Sequence, residues 1–289
     1  MMREVRLAGK GEVTEQKEIW KLCFKDSDDF IEFFYTNRYK EDQTMLLLHD
    51  EVISAMLTMV PVKIITGDTQ SYNSTMLYAV ATHPKCQNRG FATQLMDYTH
   101  QYLKEKNSAC SVLVPAEKQL FDFYRRLGYE DGFYIREFMN LPVADTAKCM
   151  ITDIDPEEYN QIRNQQLSGR LFISYANEEI IYQKKLSQKS GADIYRIEMG
   201  KVQGCAAIER LNSDKIIIKE ILIPDRVLAA AVKQIANLLQ AKEYVMRTPA
   251  FLGEHLAGTV RPFGMIKTAG ESGLKITPRD LAYLGFAFD

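Results

Sequence analysis

The sequence predicts a mixed α/β fold in two tandem units that are unequal copies of one scaffold. Three observations carry this. At roughly 150 residues per domain, a chain of 289 residues has material for two cores. Short apolar runs of strand character alternate with segments of helical period, the pattern of a layered α/β fold. One order of elements, hairpin, long strand, helix, strand, occurs at 45–114 and again at 194–247. The units are placed at 1–145 and 146–289, with the boundary in the weakly patterned stretch that runs from Leu141-Pro142 to Pro156.

In the first unit, 14–26 and 28–39 carry Ile19, Leu22 and Cys23, then Phe30, Phe33 and Phe34, at helical spacing. Two short helices are expected. The runs 45–49 and 51–65, separated by His49-Asp50-Glu51, read as a hairpin. The run 76–82 is almost wholly apolar and is expected to be a central strand buried on both faces. From Gly90 the period changes, and Phe91, Leu95, Met96, Tyr98, Tyr102 and Leu103 form one wide apolar stripe on a helix. A strand at 109–114, an amphipathic helix at 118–127 stopped by Gly128 and a strand at 133–141 complete the unit. In the second, a hairpin turns at Gly200, a long strand covers 215–223, a helix with Val227, Leu228, Ala231, Ile235 and Leu238 on one face covers 225–241, and a strand covers 244–247. Pro224-Asp225 turns this strand directly into its helix, whereas eight polar or small residues, His83 to Gly90, separate the pair in the first copy. Only the first copy has a loop of a size to hold a ligand.

Composition narrows the function classes. Basic and acidic side chains number 36 and 38, so no global field attracts nucleic acid. Five cysteines without a Cys-x-x-Cys pair read as free thiols of a reducing, cytoplasmic compartment. Neither a signal-peptide core nor a membrane-spanning run is found. The four histidines, His49, His83, His100 and His255, lack ligand spacing, and no metal is expected. The sequence sets no oligomeric state.

The chemistry concentrates in Ala81-Thr82-His83-Pro84-Lys85-Cys86-Gln87-Asn88-Arg89-Gly90-Phe91-Ala92, between the buried strand and the strongest helix. The first N–H groups of a helix have no intrahelical partner and lie at the positive end of its dipole. A phosphate satisfies them, and Gly90 and Ala92 are small where it must approach the main chain. On spacing alone, an ordinary strand-to-helix loop explains the segment equally well.

The run Gln87-Asn88-Arg89-Gly90-Phe91-Ala92 resembles the signature of the GCN5-related N-acetyltransferases, Gln or Arg, two residues, Gly, one residue, Gly or Ala. The element order of 1–140 and the segment Phe123-Tyr124-Arg125-Arg126-Leu127-Gly128-Tyr129 fit the same family. The resemblance implies that acetyl-coenzyme A lies between the signature strand and the next one. Its pantetheine arm would meet the main chain at Val80, Ala81 and Thr82, and its pyrophosphate the amides of Gln87, Asn88, Arg89, Gly90, Phe91 and Ala92. It assigns Tyr124 as the acid that protonates the departing thiolate, a pairing of similar basicities. The acceptor would be a primary amine of a small molecule or peptide. Seven residues upstream, where the family often has an Asn on the cofactor, this chain has Glu117.

A base must deprotonate the amine, and the sequence leaves it open among Glu117, His83 and the chain end. The overall plan resembles the enhanced-intracellular-survival type of acetyltransferase, without room for its sterol-carrier-like third domain. That resemblance implies a terminal carboxylate, here Asp289, at the site, carried by Tyr283-Leu284-Gly285-Phe286-Ala287-Phe288. A strand completing the second sheet is the competing expectation. Lys85, Arg89 and Arg125 are candidates for the 3′-phosphate of coenzyme A or are solvated, and the aromatics of 30–39 and 121–129 line an acceptor cleft or fill the core. Two other functions stay open: a non-catalytic acyl-coenzyme A binding module, and a Fem-like aminoacyl transferase.

Overall fold

The computed structural model describes residues 2–139, 148–269, 273–274 and 276–288. The first half contains β1 (Arg3–Leu7), α1 (Val13–Phe24), α2 (Asp28–Asn37), β2 (Thr44–His49), β3 (Val52–Ile65), β4 (Ser71–Thr82), α3 (Phe91–Glu105), β5 (Cys110–Leu113), α4 (Lys118–Arg126) and β6 (Glu130–Phe138). The second contains β7 (Met150–Asp153), α5 (Pro156–Gln166), β8 (Phe172–Ser174), α6 (Asn177–Lys189), β9 (Ile194–Met199), β10 (Val202–Arg210), β11 (Lys215–Leu222), α7 (Asp225–Leu239), β12 (Glu243–Pro249) and β13 (Thr259–Thr268). The expected boundary at 145/146 lies outside the described residues.

All strands belong to one mixed sheet, ordered β1-β2-β3-β4-β5-β13-β6-β12-β11-β10-β9-β7, with β8 on β3. The internal repeat is present in the pairing. β3 and β4 are antiparallel and β4 and β5 parallel with α3 crossing between them; β10 and β11 are antiparallel and β11 and β12 parallel with α7 crossing. The halves interleave as well: β13 enters between β5 and β6, and β12 pairs with β6.

Continuous apolar runs follow from burial of both sheet faces. Met45 and Leu47 of β2 face α3 and α4, while Leu46 and Leu48 face the layer of α1, α2, α5 and α6. A further cluster packs α7 on β9 to β12 through Val227, Leu228, Ala231 and Ile235.

Four expectations need correction. On α3 the buried residues are Phe91, Leu95, Met96, Thr99 and Leu103, so Tyr98 falls just past the edge of the stripe and is 43% exposed. Leu22 and Leu238 lie outside the buried faces of α1 and α7 in the same way. β4 is longer than 76–82, and its far end is not buried on both faces: Tyr78, Ala79 and Val80 are half-buried because they border a cavity. The chain end does not complete the second sheet as a strand. Ala282 and Tyr283 make single bridges to Phe133 and Phe172, and 284–288 continue without strand pairing while buried.

Candidate active site

Parallel pairing between β4 and β5 is confined to Thr75 opposite Ser111 and Met76 opposite Val112. Beyond these residues the two strands part. β4 keeps its partner β3 but carries one extra residue there, since Met56 faces Ala81 and Thr58 faces Tyr78. Ala79, within this bulge, has φ 50°. A bulge bends a strand and re-aims its side chains, and here it turns β4 away from β5. The opening is a cavity of about 420 Å³ whose walls include Val80, Leu113 and Tyr124.

The loop that leaves β4 is held from below. His83 N–H donates to the Ser54 carbonyl at 2.9 Å, and its Nδ1 accepts from the Lys85 N–H at 3.2 Å. Gln87 Nε2 and Cys23 Sγ both donate to the Thr82 carbonyl, at 3.1 and 3.2 Å. Asn88 (φ 60°) and Gly90 (φ 76°) are left-handed, which tips successive amides toward one side. Gly90 caps α3, and Gln94 N–H to Gly90 O is the first helical bond. The amides of Phe91, Ala92 and Thr93 therefore lack intrahelical acceptors. A Cβ built at Gly90 meets nothing within 4 Å, so the space beside this residue is open. Beside it, the Arg89 guanidinium lies 5.1 Å from the Phe91 ring centre, with Nη2 3.3 Å from His49 Nε2. A helix N-terminus of this form suits an anion.

Tyr124 stands on α4, 7% exposed, with its ring 5.8 Å from that of Tyr129. Burial pushes its phenol up to about 12. The site places the other sequence candidates unequally. Val80 lines the cavity, whereas Ala81 is buried against β3 opposite Met56 and the Thr82 carbonyl already carries two donors. Gln87, Asn88, Arg89 and Gly90 are exposed on the loop, and Phe91 is buried at the helix start. Glu117 is the exposed N-cap residue just before α4 and accepts from Gln119 Nε2. Neither Glu117 nor His83 lines the cavity. Arg125 is ion-paired with Asp122 and Asp131, both at 2.8 Å. The aromatic stretches divide: Phe30 and Phe121 line the cavity, while Phe34 packs between Trp20 and Tyr182 in the core.

Asp289 lies outside the described residues. The chain nevertheless reaches the site, since Ala287 and Phe288 line the cavity and Tyr78 Oη donates to the Phe288 carbonyl at 3.1 Å. Four further cavity residues went unread in the sequence: Asp26, which accepts from Trp20 Nε1 at 2.8 Å, and Arg247, Arg261 and Phe263 from β12 and β13. Glu137 of β6 accepts from Arg261 at 2.7 Å and from Arg247 at 3.4 Å. Burial alone raises the Glu137 carboxyl, but the Arg261 bond and the two guanidinium charges outweigh it and hold it below its ordinary value. Asp26 sits in the turn between α1 and α2, and the arginines lie more than a hundred residues from β4, so no local motif marks them. Among the described residues, no group of three His, Cys, Asp or Glu side chains is placed to hold a metal, and no helix is long and apolar enough to cross a membrane.

Comparison with known proteins agrees with this geometry. Residues 4–132 match the family model of an acetyltransferase (GNAT) domain. No curated protein matches the chain. Among solved structures, a conserved protein of Enterococcus faecalis described as a probable N-acyltransferase superposes with a TM-score of 0.75 at 16% identity, covering 96% of this chain and 76% of that one. A GCN5-related N-acetyltransferase from Anabaena variabilis gives 0.74 at 16% identity, with 93% and 73% covered. Eis1 from Mycobacterium abscessus gives 0.67 at 10% identity, with 92% and 74% covered. At these identities the three establish a shared fold.

Proposed function

We propose that this chain, whose residues 4–132 match the model of a GNAT acetyltransferase domain, is an N-acetyltransferase that moves the acetyl group of acetyl-coenzyme A to a primary amine by direct attack. The observation that carries the reading is the parting of β4 from β5 beside an open helix N-terminus, with Tyr124 in the wall between them. The cavity and loop fit the cosubstrate: Val80 of β4 lines the gap that would take an extended pantetheine arm, and the amides of Gln87 to Ala92, on the exposed loop and the helix start, would take a diphosphate. Ala81 and Thr82 belong to the same stretch of main chain, with Val80 closest to the cavity.

In this reading Tyr124 donates its phenolic proton to the departing thiolate as the amine nitrogen bonds to the acetyl carbon and the carbon–sulfur bond breaks. A base takes the first proton of the attacking ammonium, and the second, shed by the nitrogen as the amide forms, restores the Tyr124 phenol. Of the candidates Glu117, His83 and Asp289, Asp289 is the one whose neighbour, Phe288, lines the cavity, and we assign it as that base. The first unit, 1–145, holds the cosubstrate; the second, 146–289, is a degenerate GNAT-like copy that supplies acceptor-side walls, among them Arg247, Arg261 and Phe263. We place the protein in the cytoplasm, acting on a small-molecule or peptide amine. The test is coenzyme A release from acetyl-coenzyme A across a panel of amines. Release with at least one amine is expected; cosubstrate binding without release from any amine favours the binding-module reading.

A further inference from the structure

The last residues of the chain are held by side chains rather than by a sheet. Tyr283 N–H donates to Leu171 O at 3.0 Å, and Ile173 N–H donates to Tyr283 O at 2.9 Å. After that pairing, alternate carbonyls are each taken by a side chain. Leu284 O accepts from Arg163 Nη2 at 3.2 Å, Phe286 O accepts from Tyr175 Oη at 2.6 Å, with Leu284 O sharing that hydroxyl's single proton at 3.1 Å, and Phe288 O accepts from Tyr78 Oη. The Tyr175 and Phe286 rings are stacked with centres 4.8 Å apart.

Arg163 is itself fixed. Its Nε donates to both Glu220 oxygens at 3.0 and 3.1 Å, its Nη1 donates to Ile173 O at 2.7 Å, and Tyr159 Oη donates to Glu220 Oε1 at 2.7 Å. Both members of the pair are 0% exposed, one on α5 and one on β11. Gly285 passes directly over them with φ 90°, and a Cβ there would lie 2.5 Å from Glu220 Oε2 and 2.7 Å from Arg163 Nη2. No other residue fits against the pair. A buried ion pair is weak as a source of net stability, because desolvation offsets most of the attraction. What it supplies is a fork of donors at fixed positions, one aimed at the tail.

Phe288 packs with Tyr78 and Tyr182 on the sheet face covered by α1, α2, α5 and α6, opposite the face of α3 and its loop. We propose that Arg163, Glu220 and Tyr175 are positioning residues that lay 284–288 along this face, and that Phe288, so placed, is a specificity-determining wall for the amine. The inference rests on the acetyltransferase reading. It gives the second half a defined role, which is to set the acceptor pocket by holding the chain end rather than to bind the cosubstrate.

The test compares Tyr175→Phe, which deletes the donor hydroxyl and keeps the ring, with Phe288→Ala and the double variant, using the best amine of the panel. Glu220→Gln is the more severe variant and is read only if its melting curve shows a folded protein. Tyr175→Phe should bind acetyl-coenzyme A as the parent does and raise the acceptor KM by about tenfold, and kcat should fall with it because the tail also carries Asp289. Phe288→Ala should do the same, and the double variant should be no worse than Phe288→Ala alone, because both act through one wall. An unchanged acceptor KM, additive effects, or a loss of cosubstrate affinity equal to the rise in KM overturns the positioning role. If the parent releases no coenzyme A with any amine, the acetyltransferase reading fails first and takes the acceptor role with it; a working parent whose variants keep its KM removes only the positioning role.

Discussion

Tyr124 combines burial with access to the cavity, and its phenol pKa of about 12 keeps it protonated through the whole working range. The sign matters for the rate. An acid with a raised pKa does not lose its proton near 10, the ordinary phenol value, so kcat should show no alkaline loss there. Tyr124→Phe should lower kcat by about a hundredfold while leaving acetyl-coenzyme A affinity unchanged; equal kcat in the two proteins removes the role. Gly90 tests the loop at the same scale. With φ 76° and nothing within 4 Å of a built Cβ, Gly90→Ala meets backbone strain and no clash. It should cost about 1 kcal/mol in a denaturant titration and weaken cosubstrate binding by turning the loop amides, and an unchanged affinity contradicts that geometry.

Between elements, a polar network joins α3, β5, β13 and the start of β6. Lys267 of β13 donates to His100 Nδ1 at 3.2 Å, which leaves the proton of the neutral ring on Nε2, facing Ser111 Oγ at 3.1 Å and Tyr129 Oη at 2.8 Å. Burial first, and the Lys267 charge second, lower the His100 pKa to about 4. A base whose pKa falls on folding contributes stability above its unfolded value and loses it as the pH drops. Here the loss runs from about 6.5 down to about 4 and amounts to about 3 kcal/mol in all. Melting temperatures from pH 7 to 4.5 should therefore fall more steeply for the parent than for His100→Gln, and parallel curves rule the linkage out. The elements themselves were unequally legible. Runs such as 45–48 and, apart from Tyr98, the stripe from Phe91 to Leu103 are local patterns, and they appear where the sequence puts them. β13 is not apparent in the sequence because Pro262 and Gly264 interrupt its apolar pattern; they sit at a register shift in its pairing with β6, where a strand tolerates them. β1 went unread because Arg3, Glu4 and Arg6 fill most of an edge strand whose partner starts about forty residues later.

Across the whole molecule, the loop and Tyr124 were visible as motifs inside one stretch of sequence. The rest of the cavity wall was not, because Asp26, Arg247, Arg261, Phe263 and Phe288 come from distant stretches of the chain that only the fold brings together. The buried Arg163–Glu220 pair joins α5 to β11, and Arg163 Nη2 carries that link on to the Leu284 carbonyl near the chain end. Replacing Arg163 alone by Met leaves Glu220 without its cation and should cost about 3 to 5 kcal/mol, read as a lower denaturation midpoint; a loss below about 1 kcal/mol, the range of an exposed pair, contradicts the burial. The central claim concerns the opening between β4 and β5, and isothermal titration of the purified chain with acetyl-coenzyme A tests it most directly. The account predicts saturable binding at one site per chain, and a titration without binding heat at any temperature contradicts it.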